Sequence, residues 1–306
     1  MILIYSKHID GFVNHVIDYL DKDFIRIGDR DKIEIKEISI DDKVDFNVSG
    51  DYFDTFGFNK IKSIWFNGWG INASNNPYEN KCYQSLVDSF LTNLQINKIG
   101  RIYHEFETNK LYAALEAKKQ GFKVPETLIT GSKSKLTEFY SNHVYSNGIV
   151  CKRIMDSLYY GSDDYIHNFN STFPIDLETL NKIPQDFALS LFQERILAEY
   201  EIRVVYINGK LFAMAVHVFD NVIDYRINLN SSQNMRMIPF KLPNKILSKL
   251  KMVFKNLNLN YGSADLMYFN KDFYFLEINP SGQVSFVNEA CNFYLECEIS
   301  KLLESE

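Results

Sequence analysis

The feature that most constrains the fold is an aromatic hairpin near the end of the chain. Two aromatic and aliphatic runs, residues 265–269 and 273–278, flank Asn270-Lys271-Asp272, which are good turn formers. A three-residue loop centred on Lys271 predicts the pairs Phe269 with Phe273, Met267 with Phe275, and Asp265 with Glu277. Because side chains alternate along a strand, Asn279 lies on the same face as Glu277. The hairpin is therefore predicted to bring three oxygen-bearing side chains together.

These three side chains, Asp265, Glu277 and Asn279, have two interpretations. Two carboxylates on opposed strands repel each other unless a cation or a proton lies between them. Hard oxygen ligands suit Mg²⁺, which completes its shell with water and substrate phosphates. The other interpretation is a solvated edge hairpin that carries unrelated acids. The spacing alone does not decide between them.

Composition excludes several classes of function. With 306 residues, 46% of them hydrophobic, the chain is long enough for a large core, and its net charge of −6 gives no general affinity for nucleic acid or anionic membranes. The first ten residues do not resemble a signal peptide, and no apolar run reaches membrane-spanning length. Cys82, Cys151, Cys291 and Cys297 form no CxxC pair, so we expect free thiols in the cytoplasm. The sequence also lacks HExxH and GxSxG motifs.

Strand and helix patterns alternate over the first hundred residues and predict a small α/β domain with a largely parallel sheet. Its predicted strands include 1–5, "FIRIG", "KIEIKEISI" and "IKSIWF". Its first helix is predicted to bury Ile9, Phe12, Val13, Val16, Ile17 and Leu20, and a second helix is marked by Tyr83, Leu86, Val87, Phe90 and Leu94.

The remaining two hundred residues mix helices with hairpins. A helix ending at Gly121 is predicted to bury Leu111, Ala114 and Leu115. Asn208-Gly209, the preferred type I′ dipeptide, joins two strands, and alternation places Glu201 and Arg203 on one face of the first. Pro243 begins a helix that is predicted to bury Ile246, Leu247, Leu250, Val253, Phe254 and Leu257. Another helix, through Leu295, Ile299 and Leu302, closes the chain.

The order of short motifs along these residues resembles the ATP-grasp fold. The motifs are Asn109-Lys110, Gly121 to Thr127 with Val124-Pro125 inside it, Lys152, Gln193-Glu194, Glu201-x-Arg203, Arg226-x-Asn228, and finally Asp265, Glu277 and Asn279. Each motif is weak alone, but seven in the family's order favour the metal interpretation of the hairpin. The resemblance implies an α/β (α+β) protein with an N-terminal pre-ATP-grasp domain (1–107), a central subdomain (108–190) and a C-terminal subdomain (191–306).

The resemblance also implies an ATP-dependent carboxylate ligase with ATP and Mg²⁺ as cofactors. The residues implied for ATP binding are Lys110, Lys152, Gln193, Glu194, Arg195, Ile196, Glu201 and Asn228. The implied catalytic residues are Arg203 and Arg226, whose planar forks suit phosphate oxygens, and the implied metal ligands are Asp265, Glu277 and Asn279. An exposed strand acid is the alternative for Glu201, because acids near arginine often form only surface ion pairs.

Two further stretches, "YRINLNSSQNMRMIPFKLP" and "EINPSGQVSFVNEACNFYLECEISKLL", resemble the graspetide macrocyclases, in particular the grasp-with-spasm branch. That resemblance implies a ribosomally made precursor peptide as partner, with a leader that docks on the enzyme and a core whose Asp or Glu side chains are joined to Thr, Ser or Lys. It implies no nucleic-acid or membrane partner. The fold is compatible with a homodimer, although no stretch requires one.

Two other functions are compatible with the same nucleotide motifs. One is a ligase that adds free amino acids to a protein C-terminus or joins small metabolites. The other is a non-catalytic module that binds ATP or a peptide. A neighbouring gene for a short Thr- and Glu-rich peptide would favour the macrocyclase.

Overall fold

The computed structural model describes residues 1–28, 31–40, 44–67, 76–100, 110–154, 160–162, 165–167, 172–218 and 235–305. The first hundred residues contain β1 (Ile2–Ser6), α1 (Gly11–Ile17), β2 (Phe24–Gly28), β3 (Ile33–Ile40), β4 (Val44–Gly50), β5 (Phe53–Gly57), a 3₁₀ turn (Phe58–Lys60), β6 (Ser63–Asn67), α2 (Pro77–Asn93) and β7 (Asn97–Ile99). The predicted strands and both predicted helices are present.

The N-terminal region contains two sheets rather than one. The parallel sheet that the sequence predicts is present, and its strand order is β2-β1-β6-β7. The strand predicted from "KIEIKEISI" is instead β3, which belongs to an antiparallel meander with β4 and β5. Its alternating apolar and charged residues are typical of a strand with one solvated face, whereas strands of a parallel sheet are buried on both.

Helix α1 begins later than the hydrophobic pattern predicts. Asp10 is its N-cap, and the carboxylate accepts hydrogen bonds from the N–H groups of Phe12 and Val13, each at 3.1 Å. Ile9 therefore precedes the helix and is 81% exposed, so the prediction that it is buried is wrong. A cap side chain satisfies the first N–H groups and so fixes where a helix can start.

The central region contains α3 (Lys110–Lys119), β8 (Thr127–Ser132), α4 (Lys133–His143), β9 (Ile149–Lys152), β10 (Tyr160–Ser162), β11 (Tyr165–His167), β12 (Phe173–Ile175), α5 (Leu177–Lys182) and β13 (Asp186–Glu194). Strands β12, β9, β13 and β8 form an antiparallel sheet. Its core is formed by Leu136 of α4, Leu180 of α5, and Ile149 and Phe192 of the sheet. Strand β13 crosses residue 190, where the sequence predicts a domain boundary.

The C-terminal region contains β14 (Tyr200–Ile207), β15 (Lys210–Val218), β16 (Met235–Pro239), α6 (Asn244–Asn256), β17 (Tyr261–Phe269), β18 (Asp272–Asn279), α7 (Ser285–Cys291) and α8 (Leu295–Glu304). The strands form one antiparallel sheet in the order β16-β15-β14-β17-β18. The predicted type I′ turn between β14 and β15 is confirmed, since Asn208 and Gly209 have φ angles of 41° and 89°.

One face of this five-stranded sheet is covered by α3 and α6. Leu250 and Phe254 of α6 pack there with Ala113 and Ala117 of α3, against strand residues that include Phe275. The predicted buried face of α6 is therefore confirmed.

The predicted buried face of α3 is wrong. Leu111 and Leu115 are 48% and 50% exposed, whereas Ala113 and Ala117 are fully buried. Small alanine side chains let the helix approach closely. The buried face of α3 also includes Glu116, whose carboxylate accepts a hydrogen bond from the Asn256 amide of α6 at 2.7 Å. No helix in the described ranges is both long and apolar enough to cross a membrane.

The opposite face of the same sheet is divided between a core and a polar end. Val205 and Ile207 of β14 pack with Ile4 and Trp65 of the parallel sheet, and with Ile299 of α8. The N-terminal sheet and the closing helix therefore cover one end of this face. Further along β14 on the same face lie Arg203 and Glu201, which belong to the candidate site.

Candidate active site

The hairpin β17–β18 has a shorter turn than the sequence predicts. Phe269 pairs with Asp272, so the loop is the two residues Asn270 and Lys271. Both have positive φ angles, 49° and 66°, as a type I′ turn requires. The predicted pairs of Phe269 with Phe273 and of Met267 with Phe275 are therefore wrong; Tyr268 pairs with Phe273 and Leu266 with Phe275.

The predicted pairing of Asp265 with Glu277 is nevertheless confirmed. The register shifts between Asp265 and Leu266, which leaves Leu276 as an extra residue on β18. The turn is one residue shorter than predicted, and the extra residue at the bulge compensates for this, so that Asp265 still pairs with Glu277. The two carboxylates consequently lie opposite each other on neighbouring strands, with Asn279 two pairs further along on the same face, opposite Ser263.

Each of the two carboxylates forms an ion pair with a basic side chain. Nη1 of Arg203 lies 2.6 and 2.7 Å from the two oxygens of Asp265, and Nζ of Lys110 lies 3.0 Å from Oε2 of Glu277. The Arg203 side chain is only 7% exposed, and the other three side chains are 20–22% exposed. These partners compensate for bringing two like charges together in a largely desolvated place.

The loop after β18 forms hydrogen bonds with the side chains of Asn279, Arg203 and Ser263. Asn279 Oδ1 accepts hydrogen bonds from the N–H and the hydroxyl of Ser281, at 3.2 and 2.9 Å. The carbonyl of Gly282 accepts one from Nη2 of Arg203 at 2.9 Å and one from the hydroxyl of Ser263 at 3.0 Å. Gly282 has φ = 89°, and a Cβ atom there would lie 2.9 Å from the Tyr261 hydroxyl oxygen. Glycine is therefore required for the loop to approach this closely.

Glu201 lies on the same face of β14 as Arg203, as predicted. It pairs with Met267, whereas Arg203 pairs with Asp265, so Glu201 is one step further from the hydrophobic end of the face. The residue is half-buried.

Lys152 and Gln193 lie on the central sheet, on the face that points away from α4 and α5. Lys152 pairs with Leu191, and Val150 pairs with Gln193, so all four side chains share that face. Gln193 is buried, and its amide nitrogen lies 3.0 Å from the Thr127 hydroxyl oxygen, to which it donates. The structure thus gives the Gln193 side chain a partner within the sheet.

The residues after Gln193 form a short extended segment with anchored backbone groups. The N–H of Glu194 donates to the carbonyl of Glu126 at 2.8 Å, and that of Arg195 donates to the carbonyl of Gly148 at 2.9 Å. The N–H of Ile196 has no acceptor among the described residues. A rigid segment with an available donor suits recognition of a planar polar ligand edge.

Two predicted site residues, Arg226 and Asn228, lie outside the described residues, as does Asn109. Lys110, which follows Asn109, is the first residue of α3. The roles predicted for Arg226 and Asn228 stay predictions.

No sequence motif indicates one further cluster, which consists of Glu126, His143 and Glu194. Nε2 of His143 lies 3.2 Å from a carboxylate oxygen of Glu126 and 3.8 Å from one of Glu194. The three residues are far apart in the chain and match no ligand-spacing motif, so only the folded structure brings them together.

No family model and no curated protein sequence matches this chain. Solved structures do match, and they define its fold class. Over 99% of this chain and 94% of the other, the chain superposes with a TM-score of 0.80 and 20% identity on an ATP-grasp ligase from Chryseobacterium gregarium, solved in complex with ADP and with a leader and core peptide. The chain has the ATP-grasp fold, and the fold predicted from the sequence is confirmed.

Two other solved structures place the chain within that class. The macrocyclase MdnC from Microcystis aeruginosa MRC, bound with precursor peptide MdnA, matches over the full length of both chains with a TM-score of 0.80 and 17% identity. D-alanine–D-alanine ligase from Bacillus anthracis matches 99% of this chain and 94% of its own, with a TM-score of 0.53 and 15% identity. The fold is therefore more similar to that of the peptide-bound proteins.

Proposed function

We propose that this chain is an ATP-dependent carboxylate ligase that joins side chains of a peptide into rings. The observation that carries the proposal is the pairing of Asp265 with Glu277, each with a cationic partner, on the polar end of the five-stranded sheet of an ATP-grasp fold. Similarity to two proteins solved with bound peptides supports a peptide substrate.

The polar end of the sheet fits Mg²⁺. Two carboxylates on paired strands have Cβ atoms roughly 5 Å apart, and a carboxamide follows two pairs along, on the same face. These are hard oxygen donors, few in number, as Mg²⁺ prefers. Asp265 and Glu277 would be its principal ligands, whereas Asn279 would have to give up one of its bonds to Ser281.

ATP, when bound, supplies the phosphoryl group that converts a peptide carboxylate into an acyl phosphate. A hydroxyl of Thr or Ser, or the amine of Lys, then attacks the carbonyl carbon. The new bond to oxygen or nitrogen forms while the bond from that carbon to the phosphate oxygen breaks. Phosphate departs, and the proton of the nucleophile is released with it. One water is lost from the peptide for each ring.

Residues around the metal site have separate proposed roles. Lys110 and Lys152 are compact cations suited to phosphate oxygens, and Glu201 is suited to accept hydrogen bonds from ribose hydroxyls. The two Nη atoms of Arg203 are engaged with Asp265 and Gly282, so Arg203 orients Asp265 in addition to its proposed part in balancing phosphate charge. Arg226 is proposed for the charge that develops on the transferring phosphoryl group.

The extended segment after β13 is proposed to bind adenine. Its backbone is held in place through Glu194 and Arg195, which leaves the Ile196 N–H and the Glu194 carbonyl to face the adenine edge.

The decisive experiment supplies ATP, Mg²⁺ and a Thr- and Glu-rich peptide encoded beside this gene, and follows the products by mass spectrometry. We expect successive losses of water accompanied by ADP. Glu277→Gln should slow ring formation about a hundredfold or more, because it removes a metal-ligating charge. Glu178→Gln, an exposed acid on α5, is the matched control and should retain activity.

Two outcomes would contradict the proposal. Unchanged ring formation by Glu277→Gln would refute the metal assignment. Release of ADP with free amino acids, but not with the peptide, would favour the ligase that extends a C-terminus or joins metabolites.

A further inference from the structure

A second group of side chains that can ligate a metal lies at one end of the central sheet. The proposed ligase reaction uses the backbone of one member, Glu194, but not the side chains of the group. Glu126 precedes β8, His143 is the last residue of α4, and Glu194 is the last residue of β13. One ligand atom of each residue lies within 4.8 Å of the other two. The site is on a different sheet from Asp265 and Glu277.

The imidazole of His143 is oriented as a metal ligand. Its Nδ1 lies 2.9 Å from the carbonyl oxygen of Phe139, which can only accept, so Nδ1 carries a hydrogen. The ring packs against that of Phe139, with centroids 4.5 Å apart, and the side chain is 9% exposed. Nε2, the other ring nitrogen, lies on the side of Glu126 and Glu194. Histidine ligands of metals commonly have their second nitrogen fixed in this way.

Two carboxylates beside an imidazole nitrogen are stabilised by a positive charge between them, which a metal ion or a proton on Nε2 can supply. A proton on Nε2 would make one hydrogen bond, to Glu126 at 3.2 Å, and the 3.8 Å distance to Glu194 is too long for a second. A tetrahedral ion with bonds of about 2.0–2.1 Å separates its ligand atoms by about 3.4 Å. The Glu126 side chain is 72% exposed and can rotate to complete such a shell.

We propose that Glu126, His143 and Glu194 bind a divalent first-row transition-metal ion, with Zn²⁺ as the expected ion. One imidazole nitrogen with carboxylate oxygens suits Zn²⁺ and neighbouring transition metals, whereas Mg²⁺ prefers an all-oxygen shell. Three protein ligands leave the fourth position of a tetrahedral ion to water.

The site lies where an ion would fasten the segment proposed to bind adenine. The Glu126 N–H donates to the Glu194 carboxylate at 3.2 Å, and the Glu194 N–H donates to the Glu126 carbonyl at 2.8 Å. The His143 carbonyl accepts from the Gly148 N–H at 3.0 Å, and the Gly148 carbonyl accepts from the Arg195 N–H. The ion would therefore link the start of β8, the end of α4 and the end of β13.

Metal binding is measured on the full chain without nucleotide, after treatment with a chelator. We expect one Zn²⁺ per chain by calorimetry, and a higher melting temperature with Zn²⁺ than without it. Glu126→Gln, at a position whose side chain is 72% exposed, should weaken binding about tenfold or more. His143→Gln should abolish it. Glu138→Gln, an exposed acid on α4, is the matched control and should bind as the wild type does.

Cobalt distinguishes this site from the cysteines. Co²⁺ at a nitrogen and oxygen site gives visible d–d bands without a sulfur-to-cobalt charge-transfer band, and these bands should disappear in Glu126→Gln. Wild-type affinity in that variant, or a sulfur band in the wild type, would overturn the proposal. So would a wild-type chain that binds neither ion while NMR shows both nitrogens of His143 protonated. Asp265→Asn should bind Zn²⁺ as the wild type does, because Asp265 lies on a different sheet. Zn²⁺ binding therefore tests this site independently of the ligase proposal.

Discussion

Replacing Arg203 by methionine should destabilise the five-stranded sheet, because Asp265 would keep its charge and lose its partner. Arg203 makes two contacts of 2.6 and 2.7 Å with the Asp265 carboxylate and a third of 2.9 Å with the Gly282 carbonyl. Removing one member of a buried ion pair costs about 3–5 kcal/mol. Asp265 is 20% exposed and recovers some hydration, so we expect about 3 kcal/mol. Methionine can still pack on Phe286, whose ring lies 5.9 Å from the guanidinium carbon.

The assay is urea unfolding followed by tryptophan fluorescence, since Trp65 is fully buried in the core that β14 shares. The midpoint should fall without a change in slope. Arg236→Met, at an exposed position of β16, is the control and should change stability by about 0.5 kcal/mol or less. Combining Arg203→Met with Asp265→Asn should recover about 1–3 kcal/mol, because the unpaired charge is gone. Strictly additive losses, or an Arg203→Met midpoint equal to that of the control, would refute the reasoning.

Three further predictions concern other parts of the chain. Leu115→Lys should change the unfolding free energy by about 0.5 kcal/mol or less, whereas Ala117→Leu should lower it by about 1–3 kcal/mol through overpacking. If thermal melts show Leu115→Lys to be the more destabilising variant, α3 buries its leucines. Gly282→Ala should cost about 1–3 kcal/mol in the same melts, because φ is positive and Cβ meets Tyr261; an unchanged melting temperature would contradict this. Burial raises the pKa of the Cys151 thiol to about 11, so the thiol stays protonated at pH 8. Iodoacetamide should therefore label exposed Cys82 first, and the labelling rate of Cys151 should approach that of Cys82 as pH rises. Equal labelling rates at pH 8 would refute this.

The hairpin shows how a correct prediction can rest on a partly wrong register. Sequence patterns identify both strands and the turn, and they place Asp265 opposite Glu277. They do not show that Asn270 and Lys271 form a two-residue turn or that Leu276 forms a bulge. The register of a hairpin follows both its turn type and the hydrophobic face that it buries. Contacts with β14 and the helices decide which face is buried, and the loop residues do not reveal those contacts.

Helix α3 illustrates a different limit. Hydrophobic spacing favours Leu111 and Leu115 as its buried side, but the sheet selects Ala113 and Ala117. Burial of larger side chains usually stabilises a protein more. Here, however, α3 packs against β18 and α6 through its alanines, and the leucines stay exposed. Local sequence cannot reveal how near a neighbouring element will come.

Several features can be predicted from the sequence alone: strands β1, β2 and β6, the type I′ turn at Asn208-Gly209, the buried face of α6 and the motif order that indicates an ATP-grasp fold. These features depend on periodicity and on the backbone preferences of single residues, which act over a few positions. Only the tertiary structure decided which cation pairs with which acid and that Glu126, His143 and Glu194 meet. Such contacts join residues remote in sequence, and their geometry follows from how whole sheets and helices pack against one another.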